Sequence, residues 1–164
     1  MSKGNAFGLV VLCMGAFAPV TFAQGAKQCA PVVKQTAEVE QVETDAQGKK
    51  TTKLVALTTA VPGTEVIYTT TVTNDCKQAV DKVSIDGHVP EHMQFVPGSS
   101  FSPGAQVLFS LDGRTFAAPE QLTVSENGTP RKARAEEYRH FRWTFQSSLQ
   151  PGTSGFARFR AVLN

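Results

Sequence analysis

Two stretches decide the fold: FRWTF at residues 141–145 and FARFRAVL at residues 156–163. Apolar and polar residues alternate through both of them. Successive side chains of a β-strand point to opposite faces, so this alternation predicts two antiparallel strands, each with one buried and one wet side. Phe141, Trp143, Phe145 and Phe159 should face the core, and Arg142, Arg158 and Arg160 should face outward.

The rest of the chain reads as further short strands, because β-branched and aromatic runs are separated by Gly, Pro, Asn and Asp. No stretch keeps a helical period. The predicted strands comprise residues 37–44, 51–60, 66–74, 80–86, 95–96, 106–111, 120–125, 138–145 and 156–163, with residues 114–117 pairing back onto 106–111. About eight or nine short strands with frequent turns predict an all-β, two-sheet antiparallel β-sandwich. We expect its core to contain Tyr68, Val72, Ile85, Phe141, Trp143, Phe145 and Phe159.

Residues 127–137 are predicted to form the longest loop. Asn127-Gly128-Thr129 matches a glycosylation acceptor, but Asn-Gly is itself a turn sequence, and we interpret it as a turn. The dense run of charged residues from Arg131 to Arg142 contains either a recognition loop for an acidic partner or a solvated loop. The second interpretation is preferred, because Glu136 and Glu137 can offset the arginines of the loop itself.

The first 23 residues have the layout of a secretory signal peptide. Lys3 supplies the positive start and residues 6–22 carry no charge. Small residues precede a predicted cleavage after Ala23, with cleavage after Gly25 as the alternative. A membrane anchor would need about 20 apolar residues, whereas this run is shorter and is interrupted by Gly and Pro. We therefore expect the chain to be exported, with no membrane span after cleavage.

Removal of residues 1–23 takes away one of the 16 basic residues and leaves 15 against 14 acidic ones. This balance argues against a nucleic-acid-binding surface, which needs clustered positive charge. The mature chain keeps two cysteines, Cys29 and Cys76. In an oxidising compartment they predict one disulfide, and two unpaired buried thiols are the alternative. Cys29 would tie down residues 24–36, which we expect to form a loose arm before the domain at residues 37–164.

The string VPGTEVIYTTTVTN at residues 61–74 resembles the opening of a conserved repeat domain of bacterial cell-surface proteins, catalogued as domain of unknown function number eleven. Residues 79–90, 93–99, 141–145 and 149–155 are similar to later segments of the same family, in the same order. The resemblance covers residues 54–164. It implies an immunoglobulin-like sandwich with Greek-key connections, in the periplasm or on the cell surface of a bacterium. Family members often carry the domain in tandem arrays, whereas this chain has a single copy. Family members are structural or adhesive modules without a shared catalytic site.

No constellation of residues predicts catalysis. His88 and His92 have the spacing of a metal pair on a helix, but Pro90 lies between them and favours ordinary loop histidines. Four aspartates could be calcium ligands, but each lies where a turn is predicted, and no Asp-x-Asp-x-Asp-Gly loop is present. The sequence has no nucleophile elbow, no paired carboxylates and no Gly-rich nucleotide loop. We therefore predict no enzymatic activity, no cofactor and no metal.

Arg142, Arg158 and Arg160 form the candidate interaction face, since three outward arginines on one sheet face repel each other and are unusual. The first hypothesis is a non-catalytic envelope module, structural, adhesive or protein-binding, whose partner is another envelope protein. The alternative is a periplasmic assembly or chaperone-like factor that pairs an exposed edge strand with a client strand. A long uncharged edge would favour strand pairing, whereas an edge blunted by Lys, Pro or a bulge would favour the stand-alone module. An enzyme with an unrecognised site is less favoured than either, and the oligomeric state is left open.

Overall fold

The structure is a computed structural model, and it describes residues 29–164. The predicted signal peptide, its cleavage sites and the first residues of the predicted arm lie outside this range. The described chain forms ten strands: β1 (Val32–Thr44), β2 (Lys50–Ala56), β3 (Glu65–Thr73), β4 (Ser84–His88), β5 (Met93–Phe95), β6 (Ala105–Ser110), β7 (Thr123–Glu126), β8 (Thr129–Lys132), β9 (His140–Phe145) and β10 (Ser154–Leu163). The predicted all-β class is confirmed. Within residues 29–164, no helix has the length and apolar character needed to cross a membrane.

The strands form two main antiparallel sheets and one separate hairpin. The larger sheet has the order β2-β1-β3-β10-β5, the smaller sheet has the order β4-β9-β6, and β7 pairs with β8. The two strands that decide the fold, β9 and β10, therefore lie in different sheets. Their apolar sides face each other across the interior, which makes the molecule a β-sandwich.

Aromatic side chains from both sheets fill the interior. Phe141 of β9 and Phe159 of β10 meet with ring centroids 4.8 Å apart, and Trp143 stacks beside Phe141 at 5.3 Å. The indole nitrogen of Trp143 donates a hydrogen bond to Ser100 Oγ at 2.9 Å. The one polar group of this buried side chain therefore has a hydrogen-bond partner. Of the seven predicted core residues, the structure buries Val72, Ile85, Phe141, Trp143 and Phe159, and it packs the half-buried Tyr68 and Phe145 against them.

Strand β1 begins earlier than the sequence predicted. Residues 32–36 were expected to belong to a loose arm, but they pair with β3, in a register that places Val32 opposite Thr73. That expectation was wrong because the backbone of these residues forms strand hydrogen bonds with β3, and this long-range pairing cannot be read from residues 32–36 alone. From Glu38 onward β1 pairs with β2, so residues 40–54 form a solvent-exposed two-stranded ribbon.

A disulfide joins Cys29, just before β1, to Cys76, just after β3. Their Cα atoms lie 5.8 Å apart, and 47 positions of sequence separate them. The bond therefore fixes the start of β1 beside the end of β3. A disulfide between these two cysteines is what the sequence predicted.

The predicted long loop at residues 127–137 is largely a hairpin, which corrects the sequence interpretation. Asn127 and Gly128 have φ values of 51° and 81°, and positive φ at both central residues is the signature of a type I′ hairpin turn. Pro130 lies within β8, although proline disfavours a position in a paired strand. It is tolerated because β7 and β8 form an isolated pair, in which a proline can lie with its missing N–H toward solvent.

Several other strand boundaries differ from prediction, and in two places an isolated bridge replaces part of a predicted strand. Residues 114–117 make only one bridge, between Ala117 and Phe109, because the Asp112-Gly113 turn is followed by irregular chain. The strand expected at residues 80–86 begins at Ser84. Val80 instead bridges to Leu149 in the segment before β10.

Candidate interaction surface

The three candidate arginines do not share one face. Arg142 lies on β9 in the smaller sheet, whereas Arg158 and Arg160 lie on β10 in the larger sheet. Each points away from the shared interior, so Arg142 is on the opposite side of the sandwich from the other two. The expectation of a single arginine face was therefore wrong, because alternation along a strand reveals its outward residues but does not reveal its neighbours.

Arg142 is neutralised by a carboxylate of the adjacent strand. Its Nε and Nη2 donate to the two oxygens of Asp86, each at 2.7 Å, in a bidentate pair. These hydrogen bonds hold the pKa of Asp86 below its usual value. The guanidinium also lies 4.1 Å from the ring centroid of Phe116. Within the chain, Asp86 therefore neutralises the charge of Arg142 and Phe116 covers the planar face of its guanidinium.

Arg160 is neutralised as well. It donates to Glu65 Oε1 at 2.8 Å and to Glu40 Oε1 at 2.7 Å. This pairing ties β10 to β3 and to β1 on the outer side of the larger sheet. Ile67, directly opposite Arg160, is only 1% exposed although it lies on that outer side.

Arg158 differs from both. Its Nε donates to Thr69 Oγ1 at 2.9 Å, and its guanidinium carbon lies 5.8 Å from the ring centroid of Phe156. Within residues 29–164, no carboxylate lies within ion-pair distance of Arg158. Residues 1–28 contain no Asp or Glu at all, so the N-terminal segment has no side-chain carboxylate to offer.

Phe101 completes this region. Its backbone N–H and C=O exchange hydrogen bonds of 2.8 Å with Arg158, which places the two residues directly opposite each other. The Phe101 ring lies 6.0 Å from that of Phe156 and the residue is 57% exposed. We call Phe101, Phe156 and Arg158 the Phe–Arg surface. Lys34 lies at its rim, in the same cross-strand row as Phe156, with Thr71 between them.

The charged run after the β7–β8 turn is held together by its own ion pairs. Arg131 donates to both oxygens of Glu137, at 2.8 and 2.7 Å, and to Glu126 at 2.6 Å. The Arg131 guanidinium and the backbone N–H of Arg134 lower the pKa of Glu137 to about 2. This geometry favours a self-neutralised loop over a recognition loop for an acidic partner.

The histidines do not form a metal pair. His88 lies opposite His140 at the end of the smaller sheet, whereas His92 lies in the turn before β5, with a φ of 61°. No group of three metal-ligating side chains is present in the part of the chain that the structure describes. Asp112 accepts hydrogen bonds from the backbone N–H groups of Thr115 and Arg114, which lower its pKa to about 2, as expected of a turn aspartate.

Comparison of the chain with protein-family models, with curated proteins and with solved structures finds no match. The Phe–Arg surface must therefore be interpreted from its own chemistry. The alternation of β10 predicted that Arg158 faces outward, but no sequence pattern predicted the role of Phe101, which lies between Ser100 and Ser102. An isolated Phe in a polar, Pro-rich segment is the one available sign of an exposed apolar contact.

Proposed function

We propose that this chain is a non-catalytic, exported module of a bacterial envelope that binds another envelope protein through the Phe–Arg surface. One observation carries the proposal: an exposed Phe, Phe101, lies directly opposite Arg158, an arginine that has no carboxylate partner among residues 29–164. Aromatic residues and Arg are the types enriched in the buried centres of protein interfaces. The signal-peptide layout, the disulfide and the resemblance to surface-repeat domains support the export part of the proposal.

The titratable groups support a binding role over a catalytic one. The carboxylates with shifted pKa values are Asp86, Asp112 and Glu137, and each lies in an ion pair or a turn. A catalytic acid or base is expected in a cleft, with its pKa moved toward neutrality. In these three carboxylates the shift is downward, which is what structural ion pairing and turn hydrogen bonds produce.

Strand pairing at the edge of the larger sheet is the second candidate. Leu57 N–H donates to Ala37 O, and the alternation of an antiparallel ladder then directs the N–H of Thr52 away from β1, toward the open edge of β2. The edge is seven residues long but carries Lys50 and Lys53, and lysines on an edge strand oppose pairing with another chain. The opposite edge, β5, is only three residues long.

The experiment is covalent capture in the source cells. The tagged full-length chain is treated with formaldehyde, and the captured envelope proteins are compared among wild type, Phe101→Ser and Thr52→Pro. We expect wild type and T52P to capture the same protein and F101S to lose it. Thr52→Pro removes only an outward N–H, so loss of capture by T52P alone would establish strand pairing instead. Failure of every variant to capture a protein above an untagged control would contradict a binding role.

The same purified material tests export. Intact mass of the mature protein should place its N-terminus at Gln24 or, by the alternative cleavage, at Ala26. A chain that retains residues 1–23 in the envelope would contradict the signal-peptide prediction.

A further inference from the structure

We infer that the partner segment bound by the Phe–Arg surface is acidic and extended, with a carboxylate that pairs with Arg158 beside an apolar side chain that packs on Phe101. This inference rests on the proposed function and names the chemistry of its partner.

Charge is unbalanced at one place on this side of the sheet. Arg160 is bracketed by Glu40 and Glu65, whereas Arg158 and Lys34 have no ion pair within residues 29–164. The acidic residue in the neighbouring row, Glu38, accepts a hydrogen bond from Thr36 Oγ1 at 3.2 Å. Two unneutralised cations, the half-buried Arg158 and the exposed Lys34, make a carboxylate the favoured counterpart.

The guanidinium of Arg158 is already oriented for a carboxylate. Its Nε is engaged by Thr69, a residue that is only 8% exposed. Among the groups of residues 29–164, its terminal nitrogens Nη1 and Nη2 have no hydrogen-bond partner. A pair of parallel terminal N–H groups matches the two oxygens of a carboxylate in a bidentate fork. Thr69 thus acts as a positioning residue that fixes the fork before the partner arrives.

The apolar part of the surface adjoins this fork. Phe101 is 57% exposed and its ring lies 6.0 Å from that of Phe156. The neighbouring rows carry the hydroxyl side chains of Thr71, Thr73 and Ser154, and Val32, opposite Thr73, is 53% exposed. Two rings and one valine, separated by hydroxyl side chains, present too little apolar area to anchor the chain in a bilayer, whereas they suit one or two apolar side chains of an extended segment.

The test places the photo-cross-linking residue p-benzoylphenylalanine at position 101 of the full chain in the source cells. Adducts are compared among wild type, Arg158→Glu, Arg158→Lys and the matched control Arg114→Glu, which makes the same charge change on the turn after β6. We expect R158E to lower the adduct yield about tenfold or more, since a charged hydrogen-bonded pair is worth at least that factor. R158K should give an intermediate loss because it keeps the charge but not the fork, and R114E should stay near wild type.

Sequencing of the cross-linked peptide completes the test. We expect an Asp or Glu within about three residues of the cross-linked position, which is the reach of an extended segment across this surface. A protein adduct without a nearby acidic residue, or one insensitive to R158E, would overturn the inference and leave the binding role intact. An adduct with lipid alone would overturn it in favour of a membrane surface. No adduct at position 101, in cells where formaldehyde still captures a partner, would also overturn it.

Discussion

Asn74 Nδ2 donates a hydrogen bond to the main-chain oxygen of Leu149 at 2.7 Å, across the end of the sandwich. The same nitrogen donates to Gln78 O at 2.8 Å, and Asn74 Oδ1 accepts from the N–H of Cys76 at 3.0 Å. Asn74 is fully buried. One side chain therefore joins the end of β3, the disulfide turn and the segment that leads into β10.

We expect Asn74→Asp to lower the free energy of unfolding by about 2–4 kcal/mol. The substitution replaces a donor by an oxygen, so the buried carbonyl of Leu149 and the part-buried carbonyl of Gln78 lose their partner and face a negative charge. Urea unfolding of the oxidised protein near neutral pH measures the loss. Asn127→Asp is the matched control, since Asp also tolerates a positive φ in an exposed turn and should change stability by less than about 0.5 kcal/mol. Equal losses for the two variants would contradict this role of Asn74.

Gly87 is required by the indole of Trp143. A Cβ at position 87 would lie 2.8 Å from Trp143 Cζ3, and that ring is buried and hydrogen-bonded to Ser100. We expect Gly87→Ala to cost about 1–3 kcal/mol, as overpacking does. A Cβ at Gly155 would meet Phe145 at 2.6 Å, but Phe145 is half-buried and its ring can turn aside. Gly155→Ala should cost less than G87A in thermal unfolding followed by Trp fluorescence, and the reverse order would refute this account.

The disulfide is expected to supply a large share of the stability. Loss of a native disulfide from a small exported domain costs about 2–5 kcal/mol, so the double variant Cys29→Ser, Cys76→Ser should unfold at markedly lower urea concentration. A reducing agent should bring wild type to the same midpoint and leave the double variant unchanged. Two titratable thiols in the denatured, non-reduced protein would show that the bond is not formed.

Acid stability should depend on Glu137. The hydrogen bonds from Arg131 and Arg134 lower its pKa from 4.5 to about 2, so its stabilising effect is present above pH 4.5 and is lost as the pH falls toward 2. Glu137→Gln should therefore flatten the stability profile in this window, and Glu136→Gln should not. An NMR titration of the Glu137 carboxyl carbon with a midpoint near 4.5 would contradict the ion-pair geometry.

The sequence predicted which residues turn inward far better than which strands become neighbours. Alternation in β9 and β10 correctly separated Phe141 and Phe159 from the arginines, because side-chain direction is a local property of a strand. It wrongly grouped Arg142 with Arg158, because sheet membership depends on long-range pairing that alternation does not encode. Phe101 was missed for a related reason. A single bridge to Arg158 places its side chain on the outer side of the larger sheet, and its own segment has no periodic pattern that would predict this position.

The turn at Asn127-Gly128 also shows that a local sequence pattern does not reveal long-range strand pairing. Asn127-Gly128 was interpreted as a turn from local residue preference. The hairpin around it was missed because Pro130 disfavours a strand unless the missing N–H faces solvent. That condition is set by the absence of a third strand beside β8 in the described structure, which residues 127–137 alone could not reveal.

The most direct test of the central claim is hydroxyl-radical footprinting of the purified mature protein, alone and bound to the partner captured from the envelope. Phe101 and Phe156 report on the outer side of the larger sheet, and Phe116, which lies under Arg142, reports on the outer side of the smaller sheet. Binding through the Phe–Arg surface predicts that the partner protects Phe101 and Phe156 from oxidation and leaves Phe116 unchanged. Protection of Phe116 with unchanged oxidation of Phe101 would contradict the account.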